Sequence, residues 1–247
     1  MSKQKAFSIL EMTGVLVIIA LIIGIGITGN GLIKYSIIKS VINDFERFQN
    51  QVAQFKMQFG YFPGDFPYAS KIWGTTCSST ATNCNGDGDG IIERGGTIST
   101  SEQCRSWQHL LLADISSFNA PNIGLCTSNG YQVDPSNAPQ SNDGGLYALT
   151  YTTLSTKYSG SPITVAINIV EHGGFTPGGD PWYPILSALD SYTIDMKLDD
   201  GLPGSGNIIS YNFNNPTYCA TTAVYSTAIY AFASTAVKAC GVYYILK

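Results

Sequence analysis

Residues Met12–Ile33 form a run of 22 uncharged, mostly apolar residues. A single carboxylate, Glu11, stands at its head, and the basic segment Lys3-Gln4-Lys5 lies just before it. A run of this length and character reads as a helix apolar on every side, which needs lipid or other apolar helices around it. Glu11 does not fit a plain anchor. A carboxylate on a membrane-spanning helix costs roughly 2.5–3.5 kcal/mol on insertion scales and calls for a partner. A secretory signal peptide is a poorer account, because its apolar core is shorter, about 7–15 residues, and no A-x-A site closes this run.

The segment Lys3-Gln4-Lys5-Ala6-Phe7-Ser8-Ile9-Leu10-Glu11 resembles the leader of type IV pilins and pseudopilins. The resemblance covers about the first thirty residues. It implies cleavage by a prepilin peptidase between Ala6 and Phe7, with methylation of the new amino terminus. It also implies that Glu11 meets the positive N-terminus of a neighbouring Phe7 during assembly. Ala6 stands where the family usually has glycine, and Ser8-Ile9-Leu10 replaces the commoner Thr-Leu-Ile. Phe62-Pro63-Gly64-Asp65, Trp107-Gln108-His109-Leu110 and the stretch from Ile194 to Pro203 look like segments of larger proteins of this type.

Only 12% of the 247 residues are charged. Residues 1–60 carry a net charge of +3 and the remainder −7. An acidic head lacks the Lys and Arg that supply most nucleic-acid affinity, so no nucleic-acid partner is expected. All six cysteines lie from Cys77 onward. An even number in an exported domain reads as three disulfides. Fifteen pairings are open, and sequence alone does not choose among them. Pairing neighbours along the chain is the simplest guess: Cys77–Cys84, Cys104–Cys126 and Cys219–Cys240. The resemblance adds that many pilins close a C-terminal loop in the manner of the last pair. No C-x-x-C occurs, and His109 and His172 lack ligand-like spacing to the cysteines, so zinc is not expected.

The pattern predicts one helix from about Phe7 to Phe59, about 80 Å long at 1.5 Å per residue. Ile38, Val41, Ile42, Phe45, Phe48, Val52, Phe55 and Phe59 recur at steps of three and four and predict a buried stripe in its second half. Gly60 suits a C-cap. A helix is expected over Ser101–Ile115, with Ser99, Thr100 and Ser101 as candidate N-caps. Strands are expected over Gly145–Thr152, Ile163–Val170, Ile208–Phe213 and Gly241–Leu246, and a further helix over Pro184–Leu198. The resemblance turns this order into an α+β pilin fold: a long N-terminal helix packed on a C-terminal antiparallel β-sheet head with a loop-rich insertion. The expected divisions are a leader over 1–6, a transmembrane and filament-core half-helix over 7–33, an amphipathic half-helix over 34–59, and a head over 60–247 with its insertion at about 60–145.

The strongest ligand motif is Asn85-Gly86-Asp87-Gly88-Asp89-Gly90-Ile91-Ile92-Glu93. Oxygen donors at every second position can converge on a hard cation, and calcium takes six to eight of them at 2.3–2.6 Å. In this register Asn85, Asp87 and Asp89 offer side chains, Ile91 a carbonyl, and Glu93 a direct or water-borne carboxylate. Gly96 stands at the twelfth position, where a calcium loop has a bidentate glutamate, and Glu102 is the candidate replacement. A metal held so would be structural. Asp195, Asp199 and Asp200 form a second acidic group, read as loop caps. No G-x-S-x-G or H-E-x-x-H motif occurs. His172 lacks a nucleophile in sequence context, so no catalytic set is assigned and no enzyme activity is expected.

The expectation is a type IV pilin-like structural subunit that polymerises with copies of itself. Its partners would be the prepilin peptidase and the assembly machinery. It would sit in the bacterial inner membrane with a periplasmic head, then in an extracellular or periplasmic filament. The alternatives are a pseudopilin of a secretion or DNA-uptake system and a membrane-anchored adhesin that does not polymerise.

Overall fold

The computed structural model describes residues 8–78, 80, 83–94, 101–118, 133–175, 181–212, 215–234 and 238–247. The chain divides into two compact units, Met1–Lys39 and Ser40–Lys247. Helix α1 is Ile9–Phe59. The other helices are α2 (Ala69–Trp73), α3 (Glu102–Leu112), α4 (Ala188–Leu198) and α5 (Pro216–Cys219). The strands are β1 (Leu146–Thr152), β2 (Ile167–Gly173), β3 (Ile208–Tyr211) and β4 (Gly241–Ile245).

In the first unit, Ser8 and Glu11 start the helix. The Ser8 amide donates to Glu11 Oε2 at 2.9 Å, and Ser8 Oγ accepts the Leu10 amide at 3.2 Å. Ser8-Ile9-Leu10-Glu11 is therefore a variant of the S-x-x-E capping box, with Ser8 Oγ on the Leu10 amide rather than the Glu11 amide, and it satisfies amides that a helix start leaves open. Glu11 thus has a local role that the sequence reading did not give it. The large apolar side chains of Ile9–Ile23 are exposed, from 46% at Ile19 to 85% at Ile9.

The pilin fold implied by the leader is corrected here. Among the described residues, no helix is long and apolar enough to cross a membrane. Helix α1 does not belong to one unit, since the division falls within it between Lys39 and Ser40. What stands is an α+β fold with one four-stranded antiparallel sheet of order β1-β2-β4-β3.

In the second unit, α1 presents the expected stripe. Val41, Phe45, Phe48, Val52 and Phe55 are buried, spaced to fall on one helix face. Phe45 packs edge-on to Tyr147 of β1 and His172 of β2, with ring centroids 5.9 and 6.1 Å away. Phe48 meets Tyr147 and Trp107 of α3 at 4.9 and 4.8 Å. The Tyr147 hydroxyl donates to Asp44 Oδ2 at 3.1 Å, so one polar neighbour of the stripe also faces the sheet.

The expected strand over Ile163–Val170 is displaced. Strand β2 starts at Ile167 and continues through Glu171 and His172, both fully buried, while Val165 is 66% exposed. The expected helix over Pro184–Leu198 is shorter and starts at Ala188, behind a capping box between Ser187 and Asp190. Ser101 is the N-cap of α3 but makes no side-chain capping bond.

Candidate functional site

Three segments meet around one group of carboxylates: the Phe62–Asp65 turn, the acidic loop 85–94, and the first turn of α3. Glycine permits the approach. A Cβ on Gly64, whose φ is +94°, would stand 2.4 Å from the Glu102 carbonyl oxygen, and one on Gly86 would overlap the Asp65 backbone. Any larger residue at either place would drive the segments apart.

His109 ties the segments together. Its Nδ1 accepts the Gly64 amide at 2.9 Å, and its Nε2 lies 2.8 Å from the Cys84 carbonyl oxygen, so Nε2 carries the proton. The ring is fully buried, and burial lowers its pKa to about 4. It is a neutral structural bracket between the residue before Asp65 and the residue before Asn85. Cys77 and Cys84 are joined to each other, which takes both sulfurs out of any metal site with the neighbouring His109.

The far end of the loop is clamped to the sheet. Asn168 Oδ1 accepts the Ile92 amide and its Nδ2 donates to the Gly90 carbonyl, both at 2.8 Å. Arg94 donates to Thr150 Oγ1 at 3.1 Å and to the Tyr151 carbonyl at 2.7 Å. Ile92 is fully buried between these anchors.

Two overlapping groups of carboxylates result. Oxygens of Asp87, Asp89 and Glu93 lie within 4.8 Å of one another, and so do oxygens of Asp65, Asp87 and Glu102. Glu102, expected as the distant replacement ligand, is brought to the loop. Its Oε1 accepts the Asp87 amide at 2.9 Å and its Oε2 the Glu93 amide at 3.2 Å. Burial raises its pKa, and a hydrogen bond shared with the Glu93 carboxyl raises it further. Burial raises Glu93 as well.

Asn85, the first ligand of the expected register, also serves the fold. Its Oδ1 accepts the Ser70 amide at 2.8 Å and so holds the start of α2. Asp89 Oδ1 accepts the Ile91 amide at 2.8 Å, a turn within the loop. Gly96 lies outside the described residues. Asp65 was missed as a site residue. It is fully buried, Oδ2 accepts the Gly90 amide at 3.0 Å, and Oδ1 has no hydrogen-bond partner among the described residues. Burial pushes its pKa up to about 6. Its sequence signal was the Gly64-Asp65 pair directly after a helix end, beside a second Gly-Asp-rich segment.

The second acidic group caps turns, as expected. Asp200 accepts the Leu202 amide and the Ser205 hydroxyl, and Asp199 accepts the Asn207 and Ile208 amides. Asp195 Oδ1 accepts the Gly201 amide at 3.0 Å. His172 is engaged at both nitrogens. Nε2 lies 2.8 Å from Asp143 Oδ2 and Nδ1 3.2 Å from the Leu146 carbonyl, which leaves neither to activate a nucleophile.

The cysteine pairs Cys77–Cys84 and Cys219–Cys240 are disulfides. Cys104 is disulfide-bonded too, and its expected partner, Cys126, lies outside the described residues, as do Ala6 and Phe7 of the expected cleavage site. Comparison with known protein families, curated proteins and solved structures finds no match for this chain.

Proposed function

We propose that this chain is a type IV pilin-like structural subunit, released from its leader by a prepilin peptidase and assembled with copies of itself into a filament. The observation that carries the reading is the pairing of Glu11 with the exposed apolar side chains of Ile9–Ile23 directly behind the leader motif. That much contiguous apolar surface needs a cover. In the proposed cycle it lies against inner-membrane lipid before assembly, with the head in the periplasm, and against neighbouring copies afterwards. Burial of the apolar residues drives association. Glu11 sets the register by meeting the new amino terminus at Phe7 of a neighbour, since a charge left unpaired in an apolar core is costly. A pseudopilin role uses the same contacts in a shorter fibre.

The capping box gives this proposal a rival at the same residue. Glu11→Ala removes both the cap and the charge. Glu11→Gln keeps an acceptor for the Ser8 amide and removes only the charge. Electron microscopy of cells producing each variant separates the two roles. The proposal expects neither variant to form filaments. Normal filaments from Glu11→Gln would reduce Glu11 to a helix cap and sink the registry role. An absence of filaments from the unaltered chain under conditions of full processing would favour a membrane-associated adhesin.

A further inference from the structure

We propose that Asp65, Asp87 and Glu102 form the ligand core of a structural calcium site, with the buried Asp65 as its inner wall. This does not depend on the filament reading. It also differs from the loop register read in the sequence, in which Asn85 was a ligand and Asp65 had no part.

Geometry permits the trio, and the burial of Asp65 distinguishes it from the overlapping group Asp87, Asp89 and Glu93. Two oxygens each about 2.4 Å from one calcium ion stand no more than about 4.8 Å apart. The oxygens of Asp65, Asp87 and Glu102 all meet that limit. They come from three separate segments that glycines 64 and 86 and His109 hold in place, so the site is formed in advance.

Asp65 supplies an observation independent of the acidic cluster. A fully buried carboxylate oxygen without a partner is expensive, because it has lost water and gained nothing. Asp65 Oδ1 makes no hydrogen bond of normal geometry, although the Gly88 amide, like that of Gly90, favours the carboxylate. Among the described residues, no lysine or arginine pairs with Asp65, Asp87 or Glu102. A cation at this point would satisfy Oδ1 and offset the mutual repulsion of three acids.

The donor set indicates the ion. All three side chains offer oxygen only, which suits a hard cation and not zinc or copper. Magnesium demands near-ideal octahedral geometry and keeps most of its water, whereas calcium accepts irregular sets of carboxylates and carbonyls. Asp87 is exposed and the other two are buried. An ion could therefore enter over Asp87 and keep water on that side.

The test is calorimetric titration of the full-length chain with CaCl2 after exhaustive chelation, paired with thermal melts in calcium, magnesium or chelator. The expected result is one calcium site and a higher melting temperature in calcium than in magnesium or chelator. Asp65→Asn keeps an acceptor for the Gly90 amide, and Asp87→Asn alters an exposed side chain. Each should weaken calcium binding by at least about tenfold, no less than the loss of a supporting contact. In chelator, Asp65→Asn should melt no lower than the unaltered chain, because the orphaned charge is gone. Asp200→Asn, in the other acidic group, should bind as the unaltered chain does. If Asp65→Asn does not fold, Asp87→Asn decides alone. Three results would overturn the site: no calcium heat or melting shift in the unaltered chain, an equal response to magnesium, or unweakened binding by Asp87→Asn.

Discussion

The Tyr230 hydroxyl donates to Asp195 Oδ2 across 2.7 Å, with both residues buried behind β3 and the 219–240 disulfide. Ser210 Oγ lies 2.8 Å from the same hydroxyl and extends the chain to the sheet. Burial pushes the Asp195 pKa up to about 7, and the nearby Asp199 and Asp200 carboxylates add to the rise.

The sign of the pH effect follows. An unfolded aspartate ionises near pH 4 and the folded one near 7. Between those values the unfolded chain has already lost its proton and the folded chain has not. Asp195 therefore makes stability fall as pH rises from about 4 to about 7. His109 acts in the opposite sense, because its folded pKa lies below the ordinary value, so stability is lost as pH falls from about 6.5 to about 4. The two slopes offset in the unaltered chain. Asp195→Asn should remove its share of the slope and raise stability at pH 8, by an amount on the order of a few kcal/mol at most. Denaturant melts of both chains at pH 4, 6 and 8 check this. A difference between the two chains that does not change with pH would refute it.

Asn168 is the clamp between the acidic loop and β2. Asn168→Ala removes an acceptor and a donor at once and leaves the Ile92 amide and the Gly90 carbonyl without them. The expected cost is about 1–3 kcal/mol, the penalty of unsatisfied buried polar groups. Hydrogen exchange should quicken at Ile92, while exchange along β4 keeps the rank order of the unaltered chain. Equal protection at Ile92 in both chains would show that Arg94 alone holds the loop.

The Cys219–Cys240 disulfide links the end of α5 to the residue before β4, with both cysteines fully buried. Replacing both by alanine should cost about 2–5 kcal/mol. Chemical denaturation of the double variant measures this, and non-reducing peptide mapping checks the bond itself. An unchanged denaturation midpoint would mean that the surrounding packing, including Tyr230 and Ala239, holds this end unaided.

Much of the second unit was legible in its sequence because its signals are local. The stripe Val41-Phe45-Phe48-Val52-Phe55, the helix behind Ser101 and the strand Leu146–Thr152 each follow a single periodicity. Strand β2 is displaced toward the C-terminus because it takes in Glu171 and His172, two polar residues that are fully buried. Burial there is supported by partners 20 or more residues away, among them Asp143 and Arg94, which no local pattern displays. The acidic loop was read correctly as a concentration of oxygen donors. Asp65 was not, because what brings it there is a histidine 44 positions further on. The cap at Ser8–Glu11 is written in the sequence as S-x-x-E, but Glu11 also heads the apolar run, so one residue carries two local signals.

The filament proposal meets its most direct test in the amino terminus of the chain recovered from assembled fibres. Intact mass and terminal sequencing should show Phe7 as the first residue, bearing a methyl group on its nitrogen, with Met1–Ala6 absent. Fibres whose subunits still begin at Met1 would contradict processing at Ala6–Phe7, and with it the role given to Glu11.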